Sequence, residues 1–235
     1  MAVSSSPERT GANRAIAPAW HTWLLVAVLV LLGAGGMGGS RPASPPPALP
    51  FDLGAIAFEA LLFVYVWWGI RMRGGSLAGV IAPGGTGRYA RDTLVGLAIW
   101  VLWYLVLSVV SLGLGAAGIT NAGASGTVFP HGPVQVGLWI VMAICSGIAE
   151  EIAFRGYLLS QFLAWTGSAV AGIVLQAVLF GLGHMYLGAK QVLLIIVSGA
   201  LLGVFALRLR NLRPLMVTHA WADVFGGLIV RGIPY

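Results

Sequence analysis

Long apolar runs alternate with short polar segments along the whole chain. The runs cover about residues 20–39, 53–70, 93–116, 134–159, 168–187, 191–207 and 215–230. A helix needs roughly 20 residues to cross the hydrocarbon core of a bilayer, and most of the runs have about this length. Strict two-residue alternation is absent, and only helices or closed barrels satisfy the backbone in lipid. The pattern therefore predicts an all-α, polytopic transmembrane helical bundle with about seven spans.

The composition agrees with this fold class. Of the 235 residues 58% are hydrophobic and only 9% are charged, which is too apolar for an ordinary soluble domain. Seven spans with short loops leave no room for a separate soluble domain. Residues 1–19 are polar and show no apolar period, so we expect a disordered cytoplasmic tail there. Residues 20–133 are expected to form N-terminal transmembrane helices that share one membrane domain with residues 134–230.

The basic residues indicate an orientation in the membrane. With the spans above, Arg9, Arg14, Arg71, Arg73, Arg88, Arg91, Arg208, Arg210 and Arg213 fall on one side, and Arg41, Lys190 and Arg231 on the other. The positive-inside rule then places the N-terminus in the cytoplasm and the C-terminus outside, in the plasma (inner) membrane. The formal net charge of +6 does not indicate nucleic-acid binding, because these residues lie at span ends and form no aromatic-interleaved patch.

Several ionisable residues lie inside the apolar runs. They are Glu59, Glu150, Glu151, His184, His219 and Asp223. One charged side chain at a bilayer centre costs roughly 2.5 to 3.5 kcal/mol on insertion scales, so such residues are functional or paired. For Glu59 we expect a structural role, with a place in a pocket as the alternative.

The adjacent glutamates differ in their neighbours on a helix. Glu150 and Glu151 point about 100° apart, whereas Glu151 and Arg155 lie at i, i+4 and share a face. We therefore expect Glu151 to neutralise Arg155 and Glu150 to face a polar cavity. A purely structural ion cluster of these three residues is the alternative.

Two further i, i+4 pairs lie in the later runs: Phe180 with His184, and His219 with Asp223. A packing histidine and an interhelical hydrogen bond would explain each pair alone. Together with the glutamates, they favour a water-accessible intramembrane pocket. There a carboxylate and two imidazoles have the groups needed to activate water and stabilise an oxyanion.

These three motifs resemble those of the CPBP intramembrane proteases, also called the Abi or CAAX-protease family. Glu150-Glu151-Ile-Ala-Phe-Arg155 is similar to the E-E-x-x-x-R motif, Phe180-Gly-Leu-Gly-His184 to F-x-x-x-H, and His219-Ala-Trp-Ala-Asp223 to the H-x-x-x-N/D type. The resemblance covers about residues 134–230 and implies that this part is the catalytic helical core. It implies an intramembrane endopeptidase that hydrolyses a peptide bond in a membrane-associated or C-terminally anchored protein or peptide.

The resemblance also implies roles for single residues. Glu150, assisted by His184, would activate the attacking water, and His219 with Asp223 would stabilise the oxyanion. Many members have asparagine where this chain has Asp223. An ionised carboxylate would repel the oxyanion, so Asp223 must be protonated, orient His219 or help to hold a cation. We expect the orienting role. Glu151, Arg155 and Phe180 would support the site.

No cofactor is implied, and the family picture is a glutamate-dependent mechanism without metal. The chain also lacks the H-E-x-x-H motif of zinc proteases. If a divalent metal were required, Glu150, His184 and His219 would be its ligands. The expected partners are a membrane-associated protein or peptide substrate and the lipid bilayer, and no oligomeric state is specified. The resemblance suggests that the cavity opens to the cytoplasm.

Two other functions stay open from the residues alone. The polar cluster could bind a peptide without cleaving it, as in a membrane protein that confers immunity. Alternatively, Glu150, Glu151 and His184 could relay protons in a proton-coupled transporter. Candidate substrates of a peptidase are a prenyl-type C-terminal peptide, a membrane-anchored sorting tail, and a bacteriocin-related or signalling peptide.

Overall fold

The computed structural model describes residues 14–38, 48–85, 88–120, 130 and 132–228. In these ranges all regular structure is helical, which confirms the predicted fold class. The eight α-helices there are α1 (Ala19–Gly38), α2 (Ala48–Met72), α3 (Leu77–Ile81), α4 (Tyr89–Ala116), α5 (Gly132–Thr166), α6 (Ala169–Leu182), α7 (Ala189–Leu209) and α8 (Arg213–Leu228). Most of the predicted tail, residues 1–13, lies outside the described residues.

Four of these helices, α2, α4, α5 and α7, are long and apolar enough to cross a membrane. Helices α1 and α6 are apolar but shorter, and α8 has 16 residues. The total of about seven spans stays a prediction.

Helix α5 is longer than the apolar run that predicted it. The run ends near residue 159, whereas the helix continues for a total of 35 residues to Thr166. Gln161 interrupts the apolar pattern, but its side chain is fully buried and hydrogen-bonded, so the helix does not end there. It ends at Gly167, whose φ of 64° is the left-handed conformation that glycine adopts easily.

The start of α1 is hydrogen-bonded to the second half of α5. The Gln161 amide nitrogen donates to Thr22 Oγ1 (2.6 Å) and to the carbonyl of Ala17 (3.1 Å). The Tyr157 hydroxyl lies 2.8 Å from Thr22 Oγ1 and 2.7 Å from His21 Nδ1. The last residues of the segment predicted as a tail are therefore packed against the bundle, where Ala17 is fully buried.

Helix α5 lies between α2 and α8, and its contacts with these two helices are among the most extensive in the bundle. Small residues permit the close approach of α5 and α8. A Cβ atom on Gly147 would lie 2.7 Å from the backbone nitrogen of Ala220. Glycine at this position therefore brings the backbones of α5 and α8 together.

The described arginines at helix ends gather at one end of the bundle, which we call the arginine end. Its members are Arg71, Arg73, Arg88, Arg91, Arg208, Arg210 and Arg213. Arg213 lies 3.4 Å from Asp92, and the amide of Leu212 donates to the carbonyl of Ile81 (2.8 Å), which joins α3, α4 and α8 there. Lys190 begins α7 at the opposite end. Arg41, Arg231 and His131 lie outside the described residues.

Candidate active site

A cavity of about 360 Å³ lies between the helices. Its polar wall includes Glu59, Ser146, Glu150, His184, His219 and Asp223. The four residues predicted to be catalytic, which come from three separate runs of the chain, therefore line one cavity together with Phe180. Glu151 and Arg155 are fully buried beside it.

Glu150 faces both histidines from the end of the α-helical part of α5. Its Oε2 lies 3.4 Å from His219 Nε2, and its Oε1 lies 3.9 Å from His184 Nε2. The second distance is longer than a direct hydrogen bond and suits a bridging water. A water bound there would contact a carboxylate and an imidazole together.

The tautomer of His184 follows from its backbone contact. His184 Nδ1 lies 2.8 Å from the carbonyl oxygen of Phe180, one turn earlier. Because a carbonyl only accepts, Nδ1 carries the hydrogen, and in the neutral ring the lone pair is on Nε2. That lone pair faces Glu150, so His184 can accept a hydrogen bond from a water held between them.

Glu151 and Arg155 form the predicted i, i+4 pair. Arg155 Nη1 lies 2.8 Å from Glu151 Oε1, and both side chains are fully buried. The Arg155 guanidinium also lies over the Phe180 ring, 4.3 Å from its centroid, in a cation–π contact. Phe180 thereby links this ion pair to His184, whose ring centroid is 5.0 Å from that of Phe180.

His219 lies between the two glutamates. Its Nδ1 is 2.9 Å from Glu151 Oε1, while its Nε2 faces Glu150 and is 3.7 Å from Asp223 Oδ2. The hydrogen bond that orients the ring is therefore made by Glu151. Asp223, expected to orient His219, lies instead beside the nitrogen that faces the cavity.

A π-helical segment, Glu151–Leu158, begins directly at the second glutamate. Within it the amide of Leu159 donates to the carbonyl of Phe154, five residues earlier. Such wide turns inside α-helices are frequent at functional sites. The two glutamates reach the same imidazole because each contacts a different ring nitrogen, so they need not share a helix face. Sequence periodicity gave no signal for the wide turn.

Glu59 is the cavity residue whose role the sequence left open. It is 6% exposed on α2 and lines the same cavity as Glu150. His219 and Asp223 line this cavity too. The signal in the sequence was its position in an apolar run, but nothing in that run indicated which later helix it would face.

Among the described residues, no group of three or more histidine, cysteine, aspartate or glutamate side chains is arranged to hold a metal ion. This includes the three residues predicted to bind a metal if one were required, which are Glu150, His184 and His219.

A buried cluster of carboxylates and imidazoles thus lines a cavity inside an apolar helical bundle. Residues 132–225 match the family model of the Rce1-like type II CAAX prenyl endopeptidases. The match covers the part of the chain that holds all three motifs, and it supports the CPBP or CAAX-protease family that the motifs predicted. No curated protein and no solved structure shows a significant match.

The apolar helices and the family together identify an integral membrane protein with a protease core. The match begins at residue 132, the start of α5. Glu59 and the rest of α2 lie outside it, so this part of the cavity wall has no counterpart in the family match.

Proposed function

We propose that the protein is an intramembrane endopeptidase that hydrolyses a peptide bond in a membrane-associated or C-terminally anchored protein or peptide, with Glu150 as general base. The observation that carries this proposal is the position of Glu150, which is buried in a cavity and faced by Nε2 of both His184 and His219. The family match supports the same reaction class.

In the first step a water between Glu150 and His184 attacks the carbonyl carbon of the scissile bond. Glu150 accepts a proton from this water while the new carbon–oxygen bond forms. His184 accepts a hydrogen bond from the second hydrogen of the water. This orients the water so that a lone pair of its oxygen points at the substrate. General base catalysis of this kind contributes roughly 10²- to 10⁴-fold.

The developing oxyanion is stabilised by His219. In its doubly protonated form the ring donates from Nε2 to the oxyanion and from Nδ1 to Glu151. Arg155 in turn holds Glu151 by a buried ion pair. Asp223 lies beside the same Nε2 and, when protonated, supplies a second donor. One donor of this kind is worth roughly 10² to 10³ in rate.

We propose that this reaction needs no metal. The support is that each step has a side chain in reach: a carboxylate to accept the water proton, an imidazole to direct the water and an imidazole to bind the oxyanion. If a metal were required, Glu150, His184 and His219 would be the residues to hold it.

The direct test compares wild type with Glu150→Gln and His184→Ala in purified, detergent-solubilised protein, using a membrane-peptide library and mass spectrometry. Cleavage that both variants lose supports the peptidase. Binding of peptides that Glu150→Gln preserves, without cleavage by wild type, would support the immunity alternative instead. Substrate-dependent proton flux in proteoliposomes would support the transporter.

We also propose that the N-terminus is cytoplasmic. Seven arginines lie at the arginine end, whereas Lys190 lies at the opposite end, and the positive-inside rule places the arginines in the cytoplasm. The start of α1 packs against the part of α5 that leads to this same end, as its bonds with Gln161 show.

The cavity lies in the half of the bundle away from the arginine end. On α2 it is lined by Phe51 and Glu59, while Arg71 lies at the far end of that helix. On α7 it is lined by Gln191 and Leu194, near the start. With a cytoplasmic N-terminus, the cavity therefore lies in the half of the bundle away from the cytoplasm. This differs from the cytoplasmic opening that the family resemblance suggests.

Cysteine labelling tests the orientation. In a Cys145→Ala background, Leu187→Cys places a thiol in the cavity wall and Met72→Cys places one near the arginine end. We expect a membrane-impermeant thiol reagent to label Leu187→Cys in intact cells and Met72→Cys only after permeabilisation. The reverse pattern would show that the cavity opens to the cytoplasm.

A further inference from the structure

We propose that Glu59, which no family motif includes, is the general acid of the reaction and protonates the leaving amine while Glu150 acts as the base. This inference rests on the proposed peptidase activity. It is carried by the position of Glu59 in the wall of the cavity that Glu150, His184 and His219 also line.

The two carboxyl groups come from helices that pack closely together. Helix α2 carries Glu59 and helix α5 carries Glu150, and the contact between these helices is among the most extensive in the fold. Glu59 is 6% exposed and Glu150 is 7% exposed. In the described part of the chain, the Oε2 atoms of both side chains are buried without a hydrogen-bond partner. Two such groups side by side in a cavity indicate a pair that acts together.

Two ionised carboxylates in one buried cavity repel each other, whereas one proton allows one group to donate to the other. In the proposed mechanism the pair therefore holds a single proton, as carboxyl dyads of other hydrolases do. Glu150 faces Nε2 of both histidines, which suits the ionised partner, so the proton is placed on Glu59.

The other carboxyl groups of the site are less suited to this task. Glu151 is held by Arg155 and by His219, at 2.8 Å and 2.9 Å, and is fully buried away from the cavity wall. Asp223 lies beside His219 Nε2, where the oxyanion is bound in the proposed mechanism. Glu59 is then the carboxyl that remains for the leaving group.

The proton balance closes without another reactant. Water gives one proton to Glu150 and its oxygen to the carbonyl carbon, which forms the tetrahedral intermediate. Glu59 then gives its proton to the peptide nitrogen as the carbon–nitrogen bond breaks. The proton on Glu150 then passes to Glu59 within the cavity that both side chains line. The net change is peptide plus water to carboxylic acid plus amine, with both glutamates restored.

The test uses Glu59→Gln, which keeps the shape of the side chain but removes the acid, in the full-length detergent-solubilised protein. Asp52→Asn is the matched control. Asp52 is a buried carboxyl two turns earlier on α2, and it is not among the described residues that line the cavity. We expect Glu59→Gln to lower kcat for a peptide by roughly 10²-fold or more with little change in KM, since this is the size of a general-acid effect.

An ester of the same sequence separates an acid from a positioning residue. The alkoxide of an activated ester is a good leaving group and departs with little help from an acid. We therefore expect Glu59→Gln to cleave such an ester at a rate close to wild type. If Glu59 is the acid, Glu59→Gln should also lose the alkaline limb of the pH–rate profile for the peptide. Glu59→Asp, which retains an acid, should recover part of the peptide activity.

Equal losses on ester and peptide, or full peptide activity of Glu59→Gln, would overturn the acid role. In that case Glu150→Gln would still be inactive, so the proposed peptidase would stand. If wild type cleaved neither substrate and Glu150→Gln changed nothing, both proposals would fall. Asp52→Asn should match wild type on both substrates, and an equal loss in that variant would assign the effect to damage of α2.

Discussion

His219 contacts Glu151 through Nδ1 and faces Glu150 through Nε2, at 2.9 Å and 3.4 Å. One imidazole thus connects two glutamates that are adjacent in the sequence but have different tasks. Arg155 contacts Glu151 in a fully buried ion pair, and Glu151 contacts His219, which lines the cavity. The ion pair therefore fixes the orientation of the ring for which we propose oxyanion binding.

Replacing Glu150 with glutamine should abolish most activity and leave the fold intact. The amide keeps the size of the side chain but cannot accept the proton of water. We expect kcat to fall by roughly 10²- to 10⁴-fold, the usual contribution of a general base. Peptide cleavage followed by mass spectrometry measures the loss, and the thermal unfolding midpoint should stay close to that of wild type. A fully active variant would exclude Glu150 as the base.

Breaking the buried ion pair should destabilise the protein. Arg155→Met leaves Glu151 charged and without its partner, and loss of one member of a buried pair costs about 3 to 5 kcal/mol. The double variant Glu151→Gln/Arg155→Met should recover most of this stability because neither charge of the pair remains. Denaturant unfolding in detergent measures both effects.

The same double variant should stay catalytically weak. Without the Glu151 carboxylate, His219 loses the acceptor at Nδ1 and its fixed orientation. Recovery of stability together with recovery of full activity would show that the orientation of His219 does not depend on Glu151.

Asp223→Asn should keep substantial activity. The asparagine amide donates a hydrogen bond without needing a proton, so it can replace a protonated Asp223 beside His219 Nε2. Asp223→Ala removes the donor and should lower kcat by roughly 10² to 10³, the effect of losing one oxyanion donor. Steady-state kinetics of the two variants provides the comparison. Near-complete loss in a folded Asp223→Asn protein would show that a carboxylate is required.

Gly147→Ala should separate α5 from α8 and lower activity. The new Cβ would lie 2.7 Å from the Ala220 nitrogen, one residue from His219, so the two helices must move apart. Overpacking of this kind costs about 1 to 3 kcal/mol. Gly137→Ala is the control on the same helix, since a Cβ atom there meets nothing within 4 Å. Equal stability and activity of the two variants would contradict the close packing.

A chelator should leave peptide cleavage unchanged. The proposed steps use only carboxyl and imidazole groups, and the described residues contain no group arranged to hold a metal. Activity is measured before and after dialysis against a chelator, and again after addition of zinc or magnesium. Loss on dialysis with recovery by one metal would instead make Glu150, His184 and His219 metal ligands.

The motifs predicted the family and which side chains line the cavity. The i, i+4 spacing was sufficient to predict the Glu151–Arg155 contact, because residues one helix turn apart are neighbours. The fold class was predictable because apolar runs in lipid can form only a few structures. These features depend on local geometry or on the solvent.

The features that escaped prediction depend on packing between distant segments. Glu59 lies beside Glu150 because α2 packs on α5, and neither apolar run indicates how its helix is rotated. The end of α5 was missed because Gln161 is stabilised by Thr22 and Ala17, far away in the sequence. The role of Asp223 stays a prediction, because its i, i+4 spacing to His219 did not indicate that Glu151 of another helix contacts the same ring.

The separation of the cavity from the arginine end has a pharmacological consequence. In the proposed orientation, a compound reaches Glu150 and His184 from outside the cell and need not cross the cytoplasmic membrane or escape efflux from the cytosol. An amphipathic peptide mimic with a tetrahedral group at the scissile position, too polar to cross a bilayer, would then be a suitable inhibitor scaffold.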